Sequence, residues 1–500
     1  MMNINLLLML ITYHWQKIIL FLLGLSLLIL GYELASRISY ELSGILADDV
    51  LIYMGVARGI LHGLTPYVDL FETKPPGIFL IIAGSLWLTG GMIFAKILHL
   101  LSLLGIGILT GTALWIWSRE KEGYEKWTLR GVGIVFALLL VLYTAAMAGE
   151  LQVETFGAFF GIAAVMCMRI RRMMSHWLSA FFLLLAIGTK EPFLLTIFAA
   201  TLLLIPLKDI PRRFGIPLLI AAILGTVILA LLGWLMPYLT IYLPHILHFH
   251  IPAHGSLLAR SFSLHKLIQN LWDFSPFFLL MIGSLFTYHL VPVTFSYVRL
   301  VPILCAFLLT VAAISIGGDF YAHHFVFAVP VYSALFWLMT ERSEWSKAML
   351  AICIVLILGA TIFHGRTPFF SRLEQWRHDE TVYKSTAALV DDVLVSCGWD
   401  RYLHLVRKGG GVFAYTEHSP TGPIFTQYTR FMGFEDSPYM DSFKETLLTV
   451  PIIVLEHLEK THAKEVVKSY IRGNFSEHPP KCASEFSQPK ERYHILFRNQ

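Results

Sequence analysis

Long apolar runs separated by short charged stretches fill the first 363 residues, and the length of each run sets what it can do. A helix needs roughly 20 apolar residues to cross a bilayer, and lysine and arginine mark the cytoplasmic loops. With Lys17 placed inside, crossings are predicted at 18–35, 93–117 and 131–147, with a fourth ending at Arg169 and a fifth at 177–187. A sixth ends at Lys208, and further ones fall at 215–235, 274–291 and 300–316; a tenth ends before Glu341, and the last covers 348–363. The apolar piece 77–91 is shorter and broken by Gly84, so it is expected to lie along the interface. That choice places Arg119, Arg130, Arg169, Arg171, Arg172, Lys208, Arg212 and Arg213 on one side; letting 77–91 cross would invert them all.

The pattern changes after His364, where charge becomes dense. Segment 381–395 has helical periodicity, 450–455 reads as a short strand after a proline, and 463–471 is again helical. The expected fold is therefore an all-α polytopic membrane domain over 1–363, with about 11 transmembrane helices and juxtamembrane helices in the first external loop. A small α/β extracytoplasmic domain is expected over 364–500. The N-terminal run follows Lys17 and precedes no small-residue cleavage site, which reads as a first span and not a removable signal.

Composition agrees. The chain is 56% hydrophobic and only 14% charged, where a soluble domain carries about a quarter charged residues. A net charge of +4, spread diffusely, gives no reason to expect nucleic acid. Cys167, Cys305 and Cys353 lie in apolar runs as small core residues, whereas Cys397 and Cys482 fall in the polar part and can pair if it lies outside the cytoplasm.

Candidate chemistry concentrates in the first external loop, ADDVLIYMGVARGILHGLTPYVDLFETKPPGIFL. Asp48 and Asp49 open an amphipathic helix, where the helix dipole favours negative charge. Capping explains such a pair, but carboxylates at a membrane boundary are also functional candidates, and a carboxylate is a fit base for a hydroxyl. Lys74 then enters a Pro-Pro-Gly corner that holds an ammonium, a fit partner for phosphate, near the same surface. Glu150 and Glu154 precede the fourth span, where dipole compensation is the plain alternative, and Lys190 sits at a boundary where snorkelling is ordinary.

The histidines of 236–273 are too irregularly spaced for zinc and suggest an amphipathic lid, with Arg260 a candidate phosphate ligand. In GGDFYAHHF, adjacent His323 and His324 are expected to point apart, so no metal pair is assigned. Gly409 to Gly411 lack the lysine-serine pair of a phosphate loop and read as a turn.

The acidic pair opening an amphipathic helix, followed by Lys-Pro-Pro-Gly and an aromatic, resembles the first external loop of the GT-C class of integral-membrane glycosyltransferases. The similar branch holds the protein O-mannosyltransferases and the lipid A aminoarabinose transferases. The resemblance covers about the first two thirds of the chain through short motifs. It implies inverting transfer of a sugar from a polyprenyl-phosphate donor to a glycan, lipid or protein hydroxyl on the outer face of a prokaryotic plasma membrane.

In that scheme Asp48 or Asp49 is the base, and Glu154, heading the fourth span before an aromatic, assists it or places the acceptor. Lys74, Lys190 and Arg260 meet the donor phosphate, and Tyr67, Glu150, Tyr321 and His323 contact substrate. Asp319 stands where similar enzymes often place an arginine, a departure at the phosphate-clamping position. No cofactor is expected, although a divalent metal is compatible with the chemistry. The alternative class, a transporter or flippase of lipid-linked sugars, commonly carries internal repeats, and none is evident.

Overall fold

The computed structural model describes residues 27–36, 48–117, 123–148, 151–170, 172–252, 255–261, 263–270, 297–316, 320–340, 369–405, 411–421, 438–456, 465–489 and 492–499, with a few isolated positions. The crossings expected at 274–291 and 348–363, together with Glu150 and Asp319, lie outside these residues.

Most of the described chain is helical. Helix α1 (Asp48–Leu61) leads through a compact loop to α2 (Pro76–Thr89), then α3 (Ile93–Trp117), α4 (Gly123–Ala148), α5 (Val153–Arg169), α6 (Met173–Thr189), α7 (Phe193–Leu204) and α8 (Ile216–Leu231). After a segment of alternating α and π turns come α9 (Tyr297–Ile316) and α10 (Val329–Thr340). Three stretches are long and apolar enough to cross a membrane: Ile93–Ala113, Leu129–Ala148 and Leu207–Leu231. Six shorter apolar helices accompany them among the described residues. The window Leu207–Leu231 has a mean hydropathy of 2.6 with only 17% of it buried. An apolar face so exposed is stable only against lipid or a partner.

Helix α2 behaves as its length dictates. Pro76 fills the first turn, where a missing N–H costs nothing, and Gly90 ends the helix with φ of 67°. At 1.5 Å per residue its 14 residues reach about 21 Å, short of the ~30 Å hydrocarbon layer. One face, from Ile78 and Phe79 to Leu86, is buried, and α2 packs on α1, α3 and α6.

Short connections make α3 to α8 run alternately up and down. Polar ties pin α3 to α10: Thr110 meets Ser333 at 3.0 Å, and the Trp337 indole donates to the Thr110 carbonyl at 3.0 Å. The alternation sorts the loops into two sets. One end collects Arg169, Arg172, Lys208, Arg212 and Arg213, and Arg213 donates to the carbonyls of Met168 and Arg169, both at 3.3 Å. Arg130 lies 3.8 Å from the Trp115 ring centre at that same end, an aromatic-basic pair of the kind enriched at bilayer interfaces. The opposite end gathers Gln152, Lys190, the Lys74 corner and His323.

The C-terminal part is α/β, as its periodicity implies. Helices α11 (Phe369–Cys397), α12 (Pro438–Thr449) and α13 (Glu465–Asn474) accompany strands β1 (Leu403–Leu405), β2 (Ile452–Glu456), β3 (Phe475–Ser476) and β4 (Tyr493–Arg498). The sheet order is β1-β2-β4-β3; β1 runs parallel to β2, and β4 is antiparallel to both its neighbours. Cys397 and Cys482 form a disulfide, their Cα atoms 5.1 Å apart. Gly411 opens a turn, as expected; Gly409 and Gly410 lie outside the described residues.

This domain sits on α1. Phe413 packs where a Cβ on Gly55 would stand 1.2 Å from its Cε2, and Arg58 donates to the Thr416 carbonyl at 3.1 Å. One apolar core therefore runs from Val50 to Val56 of α1 through Phe413 and Tyr383 to the sheet.

Candidate functional site

The site is assembled at the end of the bundle opposite the arginines, from four segments distant in sequence. The first turn of α1 brings Asp49, the corner before α2 brings Lys74, the start of α5 brings Gln152 and Glu154, and the α6–α7 junction brings Lys190. His323, on the 3-10 turn Ala322–Ala328, faces the same charges.

Glycine makes the meeting of Lys74 and Lys190 sterically feasible. A Cβ on Gly77 would lie 2.3 Å from the Gly188 carbonyl oxygen, so only a bare α-carbon lets the Lys-Pro-Pro-Gly corner touch the end of α6. Tyr67 holds the same corner from below, its hydroxyl donating to the Lys74 carbonyl at 2.9 Å. Its ring is fully buried and packs against Tyr242 at 4.7 Å. With its hydroxyl engaged and its ring covered, Tyr67 is a support for Lys74 and not the substrate contact expected of it.

The electrostatics follow from burial. Loss of solvent opposes the charge on Asp49 most strongly, but Lys74, His323, Lys190 and a hydrogen bond from Gln152 outweigh it and hold the carboxyl below its ordinary value. Burial pulls the Lys190 ammonium down, helped by Lys74 and opposed by Glu154, Glu191 and Asp49. Burial raises Glu191, against the hydroxyl of Tyr242, which donates to it at 2.7 Å.

Both lysines are loosely paired. Lys190 lies 3.5 Å from Glu154, and Lys74 lies 3.7 Å from Glu72 and 5.9 Å from the Tyr53 ring centre. Charge-assisted bonds to carboxylate or phosphate close to about 2.7–2.9 Å, so each ammonium retains capacity for a better anion.

Backbone strain marks the same place. Four non-glycine residues among those described have positive φ, and three of them, Tyr67 (69°), Leu151 (44°) and Phe320 (51°), lie on the segments that carry Lys74, Gln152 and His323. Each such residue costs on the order of 1–3 kcal/mol and persists where surrounding packing over-determines it, commonly at functional sites.

Other expected residues fall differently. The backbone of Asp48 opens α1, but its side chain lies outside the described residues. Arg260 is held on its own segment, donating to the Ile251 carbonyl at 2.9 Å, and is not among the charges felt most strongly at Asp49 or Lys190. The segment around it does cover the first loop: Tyr238 and Tyr242 pack on Tyr67, and His245 lies edge-on to Phe71 at 4.7 Å, burial pushing that imidazole down to about 4. Tyr321 is 43% exposed and stacks parallel to His323 at 5.7 Å.

The adjacent histidines do not diverge. The tight turn sets the rings of His323 and His324 4.5 Å apart at 80°, because 3-10 geometry does not separate neighbours as an extended chain does. The sequence pattern does not single out Gln152, Glu72 or Tyr242 as candidates. Glu72 lies two residues before Lys74 and was legible as a partner; Gln152 and Tyr242 carry no local signal.

The arrangement can accept a proton at a carboxylate and hold an anion between two ammonium groups. Compared with protein-family models, curated proteins and solved structures, the chain matches none.

Proposed function

We propose that the protein is a membrane glycosyltransferase that moves a sugar from a polyprenyl-phosphate donor to an acceptor hydroxyl on the extracytoplasmic face. The observation that carries this reading is the convergence of Asp49, Lys74 and Lys190 from three distant segments at the end of the bundle away from the arginines. Positive charge marks the cytoplasmic side of membrane proteins, and disulfides persist in oxidising compartments. The domain that carries Cys397–Cys482 rests on α1, the helix that presents Asp49, so both arguments favour the same outward side.

The chemistry is a single displacement at the anomeric carbon. The acceptor oxygen bonds to that carbon as the bond to the lipid phosphate breaks, and Asp49 takes the hydroxyl proton. A carboxylate held ionised is a weak base, so the proton moves only as the new bond forms and the hydroxyl acidifies. Lys74 and Lys190 meet the charge that grows on the departing phosphate. One carboxylate suffices for inversion, as a second would be needed only as nucleophile on the opposite face. Glu154 tethers Lys190 in the resting site.

Proteoliposomes holding the full chain and a panel of radiolabelled polyprenyl-phosphate sugars test this. Transfer releases free polyprenyl phosphate and carries label to an acceptor. Movement of intact donor across the bilayer without that release would replace the transferase with a flippase.

A further inference from the structure

We infer that Glu154, His323 and His324 form a divalent-cation site of zinc type, a property that goes beyond the transferase reading and does not depend on it. The three residues each offer one ligand atom, and these atoms all lie within 4.8 Å of one another. Some point then lies within about 2.8 Å of all three, so settling on zinc at its usual 2.0–2.2 Å requires each side chain to move by less than an ångström.

Three independent observations point to a ligand. Glu154 is fully buried, and neither carboxylate oxygen accepts a hydrogen bond. Its ion pair with Lys190 at 3.5 Å is longer than a charge-assisted bond, so both buried oxygens keep accepting capacity for a closer ligand. His324, 3% exposed, has Nδ1 3.1 Å from the Ile314 carbonyl oxygen, a contact that requires Nδ1 to carry the proton. That leaves Nε2 with its lone pair, the outer-shell arrangement by which metal-binding imidazoles are oriented. His323 is set beside it by the 3-10 turn, with Tyr321 stacked on its ring.

Two imidazoles and one carboxylate make the donor set of zinc sites that keep a fourth position open. Magnesium and calcium prefer oxygen ligands, which this triad supplies only once. The competing account is that the Glu154–Lys190 ion pair is the whole purpose of Glu154. The two accounts differ in what Lys190 does: a cation on Glu154 takes over the carboxylate and releases the ammonium.

The test uses the full chain in detergent, stripped with chelator, dialysed and titrated with zinc chloride, with bound metal counted by mass spectrometry and affinity read by calorimetry. One tightly bound ion per chain is expected, with His323→Ala, His324→Ala and Glu154→Gln each weakening it about 100-fold or more. His62→Ala, on an exposed histidine of the first loop, is expected to leave it unchanged. Zinc-edge X-ray absorption of the loaded wild type supplies a readout that needs no variant to fold, with two imidazoles and a carboxylate as the expected shell. No tight binding by the wild type, equal loading of the triad variants, or a shell without two imidazoles would overturn the site. None of these readouts involves sugar transfer.

Discussion

Docking of the C-terminal domain on α1 includes one close approach that can be broken and repaired. A Cβ at Gly55 would stand 1.2 Å from Cε2 of Phe413 and 2.1 Å from Cδ2 and Cζ, distances no rotamer adjustment of a methyl can relieve. Gly55→Ala must therefore expel the ring, which is 2% exposed. Returning a buried phenylalanine to water costs about 2–3 kcal/mol, a shift of about 30- to 150-fold in the docked population. Phe413→Ala alone removes the ring and leaves a void, at about 3–5 kcal/mol. In the double variant the ring is already absent and the alanine methyl enters vacated space. Its loss should match Phe413→Ala, giving a coupling of about 2–3 kcal/mol. Hydrogen exchange of α1 amides read by mass spectrometry reports local opening, and amides of 48–61 should exchange faster by the stated factor in Gly55→Ala. Additive losses in the double variant, or a silent Gly55→Ala, would refute the packing argument.

Three further outcomes follow from the same geometry. Gly77→Ala forces a methyl against the Gly188 carbonyl, so Lys74 and Lys190 should separate and donor affinity should fall at least about tenfold in a filter-binding assay, while Gly84→Ala, with open space around it, should be neutral. Cys397→Ser with Cys482→Ser opens an 85-residue loop worth about 4–5 kcal/mol in the chain-entropy account, so the melting temperature of the C-terminal domain should fall by roughly 15 °C, and reductant should reproduce it in the wild type. Because Asp49 is held below its ordinary value, its base form is present above that lowered value and lost only as pH falls through it; the acidic limb of transfer should lie below the ordinary carboxylate range and move upward in Lys74→Met, read from initial rates against pH.

The site was legible where the chain had to break its own hydropathy. Asp49, Lys74, Glu154, Lys190 and His323 each interrupt an apolar run at a boundary, and charge alternation assigns all five to one side before any contact is known. That an aspartate, Lys74 and Lys190 share one pocket is an expectation of the resemblance; its steric condition, Gly77 touching Gly188, was not legible, because nothing local connects those two backbones. Tyr67, which the resemblance placed on substrate, has a buried ring and a hydroxyl donating to the Lys74 carbonyl, a supporting contact that nothing in its local sequence signals. His323 and His324, expected to point apart as neighbours, are brought together by the 3-10 turn. The α/β character of the C-terminal part was visible in its periodicity, whereas its seat on α1 depends on Phe413 finding the absent side chain of Gly55.

Single-turnover transfer by Asp49→Asn tests the central claim most directly. With radiolabelled polyprenyl-phosphate sugar pre-bound in proteoliposomes, loss of the carboxylate should slow release of polyprenyl phosphate about 10²- to 10⁴-fold while donor affinity, set by Lys74 and Lys190, stays within about twofold. A folded Asn variant that turns over at the wild-type rate would contradict the account.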